Sequence, residues 1–191
     1  MKSAILFFLL AAAFGSLAQP QTSTASSSGA HDPTYINQVY FWAPDSLMSL
    51  EKASGEMKPK MKAMGFGGGG MAYILDGARS ATRIKAADNL RFAIKLSGMM
   101  DPTMVIKLYQ LDPKKKSREA TVSSQGGMFN KSAAKTKNGI DCNVQKSGTD
   151  VYILIPATRL TPGEYGFMNM MQATGGGAQV AYTFFTFGID Q

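Results

Sequence analysis

From residue 90 to 96 apolar and polar side chains alternate without a break. Leu90, Phe92, Ile94 and Leu96 share one parity, with Arg91, Ala93 and Lys95 on the other. Such a period of two predicts a half-buried β-strand. Residues 139–145, GIDCNVQ, repeat it, with Ile140, Cys142 and Val144 expected inward. In TMVIKLYQL the same pattern predicts burial of Met104, Ile106 and Leu108. The chain then passes through DPKKKS into REATV, which predicts a hairpin with a charged, proline-containing loop. VYILI (151–155) is apolar on both parities, as in a central strand. AQVAYTFFTFGID alternates through Val180, Tyr182 and Phe184, then changes phase to Phe185, Phe187 and Ile189. That slip predicts a β-bulge or a strand crossing between two sheets.

Further strands are expected at 71–76, 79–85 and 163–170, which makes eight or nine. The one helical expectation is a short Ser-capped segment within 45–58, DSLMSLEKASGEMK. Short strands separated by turns predict an all-β fold, an antiparallel β-sandwich that is immunoglobulin-like or related. Lys58, Lys60 and Lys62 flank Pro59 in EMKPKMK. Proline cannot donate to a ladder and lysines repel a second strand, so this segment reads as a protected edge, with a lysine-lined ligand groove as the alternative.

The N-terminus changes the picture of where the chain works. Lys2, the apolar run Ala4–Phe14 and the Ser16-Leu17-Ala18 signal read as a signal peptide over 1–18. The run is too short to span a bilayer, which takes roughly 20 residues, and no later segment is expected to be a transmembrane span. An exported protein, periplasmic or extracellular, follows. Residues 19–34 are small and polar at first and are expected to form a disordered linker, leaving 35–191 as a single domain. With one cysteine no internal disulfide can form, so burial must supply the stability.

GFGGGG (65–70) satisfies G-x-G-x-x-G in letter only. A phosphate-binding loop needs a helix after it, whose free amides hold the anion. Here MAYILD follows and alternates as a strand. The glycines therefore read as a strand connection, no nucleotide is expected, and GGG at 175–177 takes the same reading. The chain has one histidine, His31, placed in or beside the expected linker, where it makes a poor general base. One Cys and one His are too few for a zinc site, and neither a metal nor another cofactor is expected. Cys142 reads as a small core residue. Asp141, Asp150 and Glu164 are the carboxylates that could meet in a hydrolytic site, although Glu164, in a PGEY turn, is expected to bond local backbone.

The net charge of +7 leans toward anionic partners. Arg79, Arg83 and Lys85 share one parity, Arg91 and Lys95 another, and only AADN separates the two segments. As neighbouring strands of a hairpin they would form one basic sheet face, extended by Lys107. Like charges facing each other across strands repel, so an anionic ligand would balance the cluster.

Three segments carry a resemblance: G-x-x-S-x-x-R-I at 77–84, K-x-R-E at 116–119, and L-x-P-G-E-Y at 160–165 with a closing F-G. In these the chain resembles small secreted proteins of Bacteroidota, over most of residues 70–190. The resemblance implies a secreted or periplasmic β-rich domain and carries no catalytic residue over. The expected function is an exported, non-catalytic binding or structural module of the bacterial envelope that contacts an anionic envelope component. The alternatives are an envelope-protein interaction domain docking by β-strand addition and, last, a carboxylate-dependent hydrolase. Oligomeric state is left open.

Overall fold

The computed structural model describes residues 31–61, 69–98, 100–124, 138–176 and 179–191. The signal peptide, most of the expected linker, Gly65–Gly68, Lys62 and Gly177 lie outside them. The described strands are β1 (Val39–Trp42), β2 (Leu47–Ser49), β3 (Glu51–Met61), β4 (Gly69–Asp76), β5 (Arg83–Lys85) and β6 (Phe92–Lys95). After one helical turn, α1 (Pro102–Val105), come β7 (Ile106–Pro113), β8 (Ser117–Ser124), β9 (Gly139–Ile140), β10 (Cys142–Lys146), β11 (Val151–Pro156), β12 (Gly163–Gly176) and β13 (Gln179–Asp190).

The immunoglobulin-like sandwich is not the fold. Strands β12, β13, β3, β4, β8 and β7 pair in that order, and β7 pairs back onto β12 from Ile106↔Asn169 to Leu111↔Glu164. The sheet therefore closes into a six-stranded barrel, with β5 and β9 attached to β13 and β7. A separate five-stranded antiparallel sheet runs β10-β11-β6-β1-β2. Alternation along a strand reports a wet and a dry face. It is silent on whether the first and last strands of a sheet find each other, and that pairing separates a barrel from a sandwich.

Two apolar clusters follow from this arrangement. Inside the barrel pack Tyr73, Leu75, Tyr109, Leu111, Ala120, Met168 and Phe184. Between the barrel wall and the second sheet lie Val39, Phe92, Ile94 and Leu154 from the sheet, against Leu108, Phe167, Phe185 and Phe187 from the wall. The doublet in β13 is explained by this. Its register with β3 runs unbroken from Ala181↔Glu56 to Thr186↔Glu51, and both of its faces are buried, Phe184 inward and Phe185 outward. The irregularity lies in its partner β12, where 170–172 are extra between Asn169↔Thr183 and Ala173↔Tyr182. The crossing between sheets belongs to 139–146, which leaves β7 after Ile140 and joins β11 from Cys142.

Several local expectations also differ. The short helix within 45–58 is instead β2 and most of β3, because tertiary pairing to β1, β4 and β13 overrides a weak local helix signal. Met104 sits on α1 and is 69 % exposed, since the strand begins only at Ile106. Tight approach inside the barrel needs glycine on the strands flanking Phe184. A Cβ on Gly55 would come within 2.5 Å of its ring, and one on Gly166 within 3.1 Å. The expected linker ran to residue 34, but its last residues are tied to the domain. His31 stacks on Trp42 at 4.2 Å and hydrogen-bonds the Ala43 carbonyl through Nε2, and Asp32 pairs with Lys95.

Candidate functional site

The densest polar chemistry among the described residues closes one end of the barrel. Glu51 on β3, Arg118 on β8, Glu164 on β12 and Thr186 on β13 have the parity that points inward. The loop after Gly77, which turns at φ 78°, brings Ser80 to them. The Ser80 amide donates to Glu164 Oε2 at 2.7 Å and its hydroxyl to Glu51 Oε2 at 2.5 Å. The Ala81 amide adds a second bond to that Glu51 oxygen. Arg118 is 1 % exposed and donates to Glu51 Oε1 at 3.4 Å and to the Asp76 carbonyl at 3.2 Å. Arg83, from β5, donates to Glu164 Oε1 and Asp190 Oδ1, both at 2.5 Å. It lies against Gly188, where a Cβ would overlap the guanidinium.

The electrostatics follow from these partners. Burial raises the Glu51 carboxyl, but hydrogen bonds from Ser80 and Ala81 and the charge of Arg118 outweigh it, and the net shift is downward. Asp190 is lowered, chiefly by its hydrogen bond from Arg83, and Arg83 is raised in turn, chiefly by Asp190. Three arginines, counting the exposed Arg79 at 3.7 Å from Asp190, face three carboxylates. Each carboxylate is bound by donors on the protein itself. A general acid or base needs a proton free to move, and a buried pair held this way resists that.

Glu164 is therefore not a local turn residue. Its hydrogen-bond partners, Ser80 and Arg83, lie more than 80 residues away along the chain. Asp141 sits where the chain crosses between sheets, accepting from the Ala157 amide through its carbonyl. Asp150 occupies a left-handed turn at φ 60° before β11. The three carboxylates of the hydrolytic reading thus stand in three different parts of the fold. Among the described residues no group of three or more His, Cys, Asp or Glu could hold a metal ion.

The structure divides the six cations of the expected basic face. Residues 83–85 pair in parallel with β13, while 92–95 pair with β1 and β11 of the other sheet, so the expected hairpin does not form. Arg79 and Arg83 belong to the barrel-closing cluster. Lys85 is exposed at the end of β5 and Arg91 just before β6, Lys95 pairs with Asp32, and Lys107 is exposed on β7. Sequence reasoning missed Glu51, Ser80, Arg118, Thr186 and Asp190. A signal was there for four of the cluster: Ser80, Arg83, Arg118 and Glu164 all occupy fixed letters of the quoted segments.

Two concave features lie elsewhere. A pocket of about 200 Å³ opens between α1, β7 and β10, lined by Ile106, Leu108, Cys142, Val144 and Leu154, with Lys107 and Asp141 beside it. Burial, followed by the charge of Asp141, pushes the Cys142 thiol up to about 12, so it is protonated at neutral pH. A cleft of about 460 Å³ separates Met57, Lys58 and Pro59 of β3 from Thr174, Gly175 and Val180. There β3 pairs with β4 to Met61 but with β13 only to Glu56. The protected-edge reading of this segment fits: Lys58 is paired with Glu56 and Lys60 with Glu119. No protein-family model, curated protein or solved structure matches the chain.

Proposed function

We propose that the protein is an exported, non-catalytic binding module of the bacterial envelope that works through the outside of a filled barrel. One observation carries this reading. Among the described residues the middle of the barrel is packed with its own side chains, with Phe184 set between Gly55 and Gly166, and the Arg118–Glu51–Glu164 cluster closes one end. Barrels that carry a ligand inside keep a cavity there. Export is supported by the leader-like N-terminus and by the resemblance to secreted Bacteroidota proteins. Among the described residues no helix is long and apolar enough to cross a membrane.

An anionic envelope component would now have to be met by separate cations, Lys85, Arg91 and Lys107, rather than one sheet face. Docking by strand addition has a specific observation in its favour: among the described residues Gln179 and Val180 of β13 pair with β12 alone, beside the 460 Å³ cleft. A pull-down from envelope fractions at low and high salt tests these readings. Retention lost at high salt supports the anionic component, because exposed charges are screened within about 10 Å at ~0.1 M salt. Salt-resistant retention that Val180→Pro abolishes supports strand addition. A turnover assay that detects hydrolysis, abolished by Glu51→Gln, would overturn the non-catalytic reading.

A further inference from the structure

We propose that two copies of this chain associate through an apolar surface built around Asn169. Five of the six large hydrophobic side chains exposed among the described residues belong to it: Tyr35, Ile36, Met104, Met170 and Met171. The backbone places them together. The Asn169 side chain donates through Nδ2 to the Asn37 carbonyl at 2.9 Å, which holds Tyr35 and Ile36 beside β12. Asn169 faces Ile106 across the ladder, two residues after Met104, and α1 packs against β12. Met170 and Met171 are two of the three extra residues in the bulge, so the strand irregularity is what turns them out to solvent. A bulge interrupts ladder bonds and re-aims side chains. Here the Gln172 Oε1 is buried with no partner among the described residues, and Asn37 Oδ1 is in the same condition.

Two features select a second copy as the occupant. The first is area: five half-exposed side chains form a patch at the upper end for a monomer, about 300–600 Å², and a polar rim carries it toward the roughly 800 Å² per partner that a stable complex buries. The second is charge. The rim holds both signs, Lys95 beside Asp32 and Lys107 near Asp101. A two-fold contact brings one surface against itself and needs that balance, whereas an anionic membrane would favour cations alone. Methionine suits such a contact because its flexible thioether adapts to the shape it meets.

This goes beyond the binding-module reading and shares with it only the use of the outer surface. Sedimentation equilibrium of the purified protein over a wide concentration range tests it. The expected result is a reversible rise to about twice the monomer mass. Met171→Asp and Met104→Asp should each weaken association at least ~10-fold, while Met48→Asp, an exposed methionine on β2 at the far end of β1, leaves it unchanged. Circular dichroism confirms that each variant is folded. A monomer at every concentration overturns the proposal and leaves the module reading standing. A dimer that Met171→Asp and Met104→Asp do not weaken overturns it too. So does a monomer that co-sediments with anionic phospholipid vesicles, which assigns the patch to a membrane.

Discussion

Arg83 is the residue whose geometry leaves least room for change. Its guanidinium joins Glu164 to Asp190, and it can do so only because position 188 is glycine. Gly188→Ala should push the guanidinium off both carboxylates and leave Glu164, which is 5 % exposed, short of a partner. An unpaired buried charge is costly, and urea denaturation should show a loss of about 2–3 kcal/mol. Gly69→Ala, where the nearest atom to a new Cβ is Lys60 O at 3.5 Å, is the control and should change little. At the other end of the same residue scale lies Cys142. Its thiol, held up near 12 by burial, should react slowly with a disulfide reagent at pH 8 in the native protein and fully once denatured. Rapid native reaction would show that the 200 Å³ pocket admits reagents to it.

Individual strands raise a different question, that of their free edges. Beyond Glu56, β3 has β4 on one side only among the described residues, and Pro59 with Lys58 and Lys60 sits on that stretch. If these residues prevent pairing with a second chain, Pro59→Val with Lys60→Thr should produce aggregates that bind a β-sheet dye, with the folded barrel otherwise intact. An unchanged, soluble double variant would mean that the edge is covered by other means. The inner face of β13 can be tested by Phe184→Ala, which should cost about 3–5 kcal/mol through the cavity it leaves. Phe184 is completely buried and its ring meets Tyr73 and Tyr109, so little can collapse into the space.

For the molecule as a whole, the closing cluster should appear as sensitivity to acid. Glu51 and Asp190 have folded-state pKa values below their ordinary 4.5 and 3.8. A carboxyl that is more acidic when folded stabilises the protein above its unfolded pKa, and this contribution is lost as pH falls through the folded value. Melting temperature should therefore be flat from pH 7 to about 5 and fall below about 4. Glu51→Gln should melt lower at pH 7 and show a shallower acid decline. An equally steep decline in that variant would place the acid-labile group elsewhere.

Strand existence was legible in sequence because a half-buried strand must alternate. The segments at 151–155 and 163–170 lie in strands, those at 90–96 and 103–111 contain β6 and most of β7, and the KKKS hairpin between β7 and β8 forms as expected. The same logic misled where a residue lies just outside a strand, as with Met104, or where one strand is buried on both faces, as at Phe184 and Phe185. The charges show the same division. Composition and parity identified which residues are cationic and could place them on strands. They could not show that Arg83 would pair with β13 while Lys95 pairs in the other sheet, nor that Glu51, Ser80, Arg118 and Glu164, up to 113 positions apart, would meet.

By itself, the sequence determined an all-β chain with a leader-like N-terminus and no internal disulfide. Those are local or compositional properties, set by each residue and its near neighbours. Tertiary structure alone decided that β7 returns to β12 and closes the barrel, that the arginine–carboxylate cluster fills one end, and that β12 turns Met170 and Met171 outward. Each of these depends on which distant segments meet in space. Period-two alternation looks the same whichever partner a strand finds.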